Sequence, residues 1–122
     1  MDGDLLEMRA AAATVAEPDI SKKEEIALSA LRLHGHIMEQ VRKTKDRKSE
    51  AFKTLRQALG YTLSVVVHAV PREGFEFMAQ LIHWQDADVL WVVKQNLKKS
   101  RLVKNFPQEV EWIKELLLLQ HP

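Results

Sequence analysis

The sequence predicts an all-α chain built as a short stack of antiparallel helical hairpins. Three observations carry this. Only four glycines and four prolines punctuate 122 residues, too few for a turn-rich sheet protein. Apolar residues recur at steps of three and four through most of the chain, the period of a helix with one buried face. The apolar pattern of one part of the chain also returns later, at offsets of 36 to 40 residues.

Leu5 to Ala16 opens the chain as a short helix or arm, with Leu5, Met8, Ala12 and Val15 on one face. Glu17-Pro18-Asp19 breaks it, which sets residues 1–19 apart from a helical domain over residues 20–122. Ser21-Lys-Lys-Glu24 fits a capping box, in which each side chain satisfies a backbone N–H of the helix it starts. Ala27, Ala30, Leu31, His34, Ile37, Met38 and Val41 then form its apolar stripe. Polar residues Thr44 to Ser49 make the turn. The next helix reads as the central one, with Ala51, Phe52, Leu55, Ala58, Leu59, Thr62, Val65, Val66 and Ala69 inward. Gly60 inside it costs roughly 1 kcal/mol against alanine, which points to a close helix crossing. Pro71 ends this helix, because the residue before a proline is pushed out of the helical region, and it also suits the first turn of the next.

That next helix turns Phe75, Met78, Leu81 and Ile82 inward and stops near Trp84-Gln85. Asp86 and Asp88 then stand where a helix start wants acceptors and negative charge. Val89, Val92, Val93 and Leu97 follow at helical spacing, in a helix expected to run to about Ser100. Pro107 opens a last helix with Val110, Ile113, Leu116 and Leu117 on one face. Trp112, Leu118 and Leu119 are left without a common inward direction, which predicts a homodimer through this helix or a partner that covers it.

Composition narrows the function classes. With 122 residues and 46% hydrophobic content the chain is one domain with its own core. Without cysteine there is no disulfide framework and no zinc–thiolate site, which fits a cytoplasmic, reducing location. The acidic Met1-Asp-Gly-Asp opening does not read as a signal peptide, and no apolar run is long enough to span a membrane. His34 and His36 point to different sides of one helix, so no metal or other cofactor is expected. No serine sits in a nucleophile elbow, and the pattern reads as non-enzymatic. The net charge of +1 hides segregation: residues 1–20 carry five acids and one base, whereas residues 41–56 carry seven bases and two acids.

The repeat is specific in places. An offset of 38 pairs Val89 with Ala51, Val93 with Leu55, Lys94 with Arg56, Gln95 with Gln57 and Leu97 with Leu59. An offset of 40 pairs Met78 with Met38, and one of 36 pairs Pro107 with Pro71 and Glu109 with Glu73. An Asp-x-Asp-Val turn, an apolar helix and this period resemble HEAT-type repeats, as do the runs at 55–60 and 91–99. The resemblance covers residues 22–120 and implies a short α-solenoid, or α–α superhelix, of the small bacterial HEAT-like kind. Leu90 stands where that family carries an arginine, so the resemblance implies no aspartate–arginine ladder between repeats.

Beside the core face of the 88–100 helix, Trp91, Lys94, Gln95 and Lys98 share a stripe. In HEAT-like solenoids second helices line the concave surface, which would place this stripe in a groove extended by Lys53, Arg56 and Gln57. Such a row suits an acidic peptide or a phosphate backbone. The competing role for Trp91 is to cover the seam between helices, with lysine stems laid alongside. Asn96, on the apolar face, is expected to bond neighbouring backbone. The favoured function is a scaffold or adaptor binding a protein partner through its second helices. Nucleic-acid association through the same lysines and arginines is the alternative, weakened by the small net charge.

Overall fold

The computed structural model describes residues 22–120. They form six helices, and no strand occurs among the described residues. These are α1 (Lys22–Lys43), α2 (Glu50–Ala69), α3 (Pro71–His83), α4 (Ala87–Leu97), α5 (Ser100–Asn105) and α6 (Pro107–Leu119). The expected helix over Leu5–Ala16 and the Ser21 half of the capping box lie outside the described residues.

Each boundary has a local cause. Ser49 Oγ accepts the Phe52 N–H and starts α2. Pro71 sits at the first turn of α3, leaving Val70 alone between two helices. Gln85 ends the turn after α3 in the left-handed region, at φ 55°, a conformation glycine or asparagine adopts more readily. Asp86 then starts α4 by accepting the N–H groups of Asp88 and Val89.

Contacts fix the directions of the helices. Gly35 of α1 meets Phe77 of α3, and the Arg42 guanidinium lies 4.4 Å from the Trp84 ring centroid, just past the end of α3. The two helices therefore run side by side in the same sense. Phe75 packs edge-on to Phe106, and Gln85 bonds Gln120, so α3 and α6 share that sense as well. Arg56, Gly60 and Ser64 of α2 meet Asp88, Trp91 and Asn96 of α4 in ascending order, which makes α2 and α4 parallel too.

The core lies between the two rows. Met38, Leu63, Val67, Met78, Leu81, Ile82, Val89, Val92, Val93 and Ile113 are all fully buried. At about 25 cal/mol per Å2 of apolar surface removed from water, this shared core holds the rows together. Gly74 permits the closest crossing: a Cβ there would lie 2.7 Å from the Val67 Cα. Gly60, the expected crossing residue, instead makes room for a side chain, with Trp91 Cζ3 3.1 Å from where its Cβ would stand.

Two further expectations are corrected. The helix after Asp86 stops at Leu97; Lys99 is extended, and Ser100 begins the separate α5, which buries Leu102. On α2 the buried side is Phe52, Leu59, Gly60, Leu63, Ser64, Val66 and Val67, while Ala51, Leu55, Ala58, Val65 and Ala69 are exposed. The apolar arc of α2 is wider than any one face, and packing against α4 draws the Gly60–Ser64 side inward. His68 is exposed and stands edge-on to Phe106, whereas His34 is buried as expected. Its ring nitrogens bond the Ala30 carbonyl at 2.8 Å and the Thr62 hydroxyl at 2.9 Å.

Candidate functional site

The α2–α4 seam gathers the row read from the sequence. It begins at the turn before α4. Arg47, in the turn after α1, donates Nε to the Thr44 carbonyl and Nη2 to the Arg42 carbonyl, closing the open end of α1. The same guanidinium reaches Asp86 through both terminal nitrogens, at 2.9 and 2.8 Å, and Asp88 at 2.9 Å. Two-pronged pairing of this kind is stronger and more directional than a single contact. Arg56 Nε reaches the other Asp88 oxygen at 2.7 Å. One aspartate–arginine link joins the α1–α2 and α3–α4 hairpins. Its arginines come from positions 47 and 56.

Burial raises the Asp86 carboxyl, but the hydrogen bonds and charge of Arg47, with the Val89 and Asp88 N–H groups, outweigh it. The net shift is downward. Arg47 is raised in turn, chiefly by its bonds to Asp86 and Asp88.

Held by Asp88, the Arg56 guanidinium lies 3.7 Å from the Trp91 ring centroid. Gly60 lies against the same indole, and the Gln95 Cβ is 3.4 Å from where a Gly60 Cβ would stand. Trp91 is thus a half-buried seam residue, wedged between α2 and α4 under Arg56. Arg56 stacks on Trp91, and Trp91 and Gln95 both border Gly60. Lys53 and Gln57 are exposed on α2 beside them; Lys53 lies 3.9 Å from Glu50. Lys94, on α4, is half-buried and Lys98, just past its end, is exposed, one and two turns beyond Trp91.

Helical spacing extends the row from Lys53 and Gln57 to Tyr61, which the sequence reading passed over. The Tyr61 ring carries the Arg101 guanidinium at 4.9 Å and the Lys99 ammonium at 5.6 Å. Arg101 also donates to the Tyr61 hydroxyl at 3.1 Å and to Ser64 Oγ at 3.2 Å. This arginine, first through its hydrogen bond and then through its charge, lowers the Tyr61 phenol below its ordinary range, and Lys99 adds to the effect. No carboxylate among the described residues pairs with Lys98, Lys99 or Arg101. The break at Lys98–Lys99 delivers Lys99 and Arg101 to Tyr61; neither glycine nor proline announces it.

Beneath the row, Asn96 locks α4 to α2. Its Oδ1 accepts the Ser64 N–H at 2.7 Å, and its Nδ2 donates to the Leu59 and Val92 carbonyls at 2.9 and 2.7 Å. This is the backbone-bonding amide that its place on the apolar face predicted.

Comparison with protein-family models, with curated proteins and with solved structures gave no match.

Proposed function

We propose that the chain is a non-enzymatic, HEAT-like scaffold that binds an acidic segment of a protein partner along its second helices, α2 and α4. The like direction of α1, α3 and α6, and of α2 and α4, supports reading the hairpins as a short α-solenoid. One observation carries the binding surface: a fixed aromatic and basic row, from Lys53 and Gln57 past Trp91 to Tyr61, Lys98, Lys99 and Arg101. Aromatic side chains held in place by neighbours lose little entropy on binding, and the lysines and Arg101 supply charge for carboxylates. Arg56, tied to Asp88, contributes the shape of the platform more than its charge.

Nucleic-acid association is the second reading, resting on the same lysines. It is weakened because Arg47 and Arg56, the arginines beside the row, spend their charge on Asp86 and Asp88. Poly-glutamate peptide and duplex DNA serve as probes, with binding followed at about 50 and 200 mM salt. The expected result is peptide binding that perturbs the Trp91 indole N–H resonance and is lost in Lys53→Glu, Lys98→Glu. Tighter binding to DNA, falling steeply with salt, would replace the protein reading with the nucleic-acid one. Neither probe binding would leave the row as a structural seam and end the proposal.

A homodimer through α6 belongs to the same proposal. Val110, Ile113 and Leu117 are buried, but Trp112, Leu118 and Leu119 are 42%, 72% and 77% exposed. Sedimentation of the chain beside a Trp112→Glu, Leu119→Glu variant tests it; a monomer at every concentration removes the dimer. No helix among the described residues is long and apolar enough to cross a membrane, and the lack of cysteine fits action in the cytoplasm.

A further inference from the structure

The outward ridge of α2 holds no charged residue. Ala51, Thr54, Ala58, Tyr61 and Val65 follow steps of three, four, three and four along it. All five are exposed, Tyr61 by 50% and Val65 by 46%. Alternating steps of three and four are the pattern that receives another helix along a seam. The ridge is about 21 Å long, roughly two heptads. Its small residues, Ala51 and Ala58, let a second helix come to the separation of about 8–10 Å at which helices pack.

The two edges of this ridge differ. On the side of α1, Leu55 and Leu33 are 36% and 52% exposed, and the bond from His34 to Thr62 sets the two helices side by side there. On the side of α4 the edge is basic. It leads from Lys53 and Gln57 to Arg101 and Lys99, whose charged groups lie 4.9 and 5.6 Å from the Tyr61 ring centroid. Lys98, next in the chain to Lys99, is exposed. The face is therefore apolar along one edge, uncharged along its crest and cationic along the other edge.

This asymmetry selects an occupant. An extended peptide laid along α2 would set part of its own backbone N–H and C=O groups against Ala58 and Val65, and no strand among the described residues offers them partners. A helix satisfies those groups internally and presents side chains at the matching period. An apolar stripe seats it on the ridge, and carboxylates on one flank reach Lys98 and Arg101. A second copy fits less well. Twofold, antiparallel contact of α2 on α2 brings the two basic edges together and sets cations against cations.

We propose that the partner segment is an amphipathic helix with acidic residues along one flank, docked on the outward ridge of α2 between Leu33 and Arg101. This rests on the acidic-partner proposal above and adds the form of the segment. A free helix of such length is marginal in water, so the segment folds as it binds.

Synthetic peptides test it, with affinity read by fluorescence anisotropy and helix content by circular dichroism at neutral pH. One repeats a heptad with leucine at its first and fourth positions and glutamate on one flank. The second scrambles the same composition so that the period is lost, and the third is poly-glutamate. The periodic peptide should bind about tenfold or more tightly than either of the others and gain helix when bound. Ala58→Arg, an exposed change that blocks close approach to the ridge, should weaken the periodic peptide about tenfold or more and leave poly-glutamate binding intact. Lys98→Glu, Arg101→Glu should weaken all three peptides. Equal binding of the periodic and scrambled peptides, with no gain of helix, would leave the acidic partner standing and overturn its helical form. An unchanged affinity for the periodic peptide in Ala58→Arg would overturn the ridge as its seat. Binding of none of the three would remove the acidic partner and this proposal with it.

Discussion

Replacing Asn96 tests how α4 is held on α2. The side chain is fully buried and bridges the Leu59 carbonyl and the Ser64 N–H, five residues apart in one helix, while bonding Val92 in its own. Asn96→Ala removes the buried bond from the Ser64 N–H to Oδ1, at a cost of about 1–3 kcal/mol. The two carbonyls lose less, because each retains its place in a helical ladder. The cavity left by the amide adds about 1 kcal/mol, for a total near 2–4 kcal/mol. In a domain of this size 1 kcal/mol moves Tm by roughly 4–8 °C, so Tm should fall by about 10–25 °C. Asn96→Leu restores volume but not the acceptor, and should recover no more than the cavity part. Asn96→Asp keeps the acceptor but aims a carboxylate at two carbonyl oxygens. It should be the least stable of the three at neutral pH and improve relative to Asn96→Ala as acid protonates it. Thermal and urea unfolding by circular dichroism measure all three. A Tm for Asn96→Ala within about 3 °C of the native value, with an unchanged urea slope, would refute the reasoning.

The same structure sets two titration outcomes. Asp86 is held below its ordinary carboxyl range, so its contribution is present above the unfolded pKa, about 3.9, and is lost as pH falls through the lower folded value. Asp86→Asn should therefore be less stable at neutral pH yet lose stability less steeply under acid; equal slopes in urea unfolding from neutral to acid pH would contradict this. Tyr61 is the sole tyrosine and its phenol is lowered by Arg101, so an absorbance titration reads it directly. The midpoint should rise in Arg101→Ala, and an unmoved midpoint would remove the Arg101–Tyr61 contact.

Helix starts and stops were readable because their causes are local. Pro71 fixes φ and lacks an N–H, and Asp86 offers a carboxylate two and three residues ahead of the N–H groups it accepts. Asn96 could be assigned because a buried amide must bond something. What escaped depends on distant partners. Arg47 looked like one base in a polar turn, and its aspartates lie 39 and 41 residues on. The side of α2 that faces inward could not be chosen from its pattern: Ala51, Leu55, Ala58 and Val65 have the spacing of a core face and are exposed. Tyr61 was within reach of the periodicity that marked Lys53 and Gln57, but Arg101 needed the break at Lys98, which depends on Leu102 finding the core. Trp91 shows the limit from the other side. Its place beside the core face follows from spacing, but only the neighbouring helix reveals that Arg56 covers it.

The Asp86–Arg47–Asp88–Arg56 network matters more for where α4 sits than for how tightly it is held. Its side chains retain between 11% and 30% of their exposure, so water weakens each pair, and removing any one leaves a charge that solvent can reach. Apolar contacts between α2 and α4 supply most of the attraction, but valines and leucines tolerate a slide along the helix axis. The ion pairs do not. Arg47 must satisfy the end of α1 and the start of α4 at once, and Arg56 must meet Asp88 while lying on Trp91. A shift of one turn, about 5.4 Å, breaks every one of these bonds. Asn96 repeats the constraint in the interior, two turns further on. Between these two polar locks α4 has one register on α2, and that register sets the spacing of Lys53, Gln57 and Tyr61 against Trp91, Gln95 and Lys98. A partner that reads charges along the row depends on that spacing more than on the strength of any single contact.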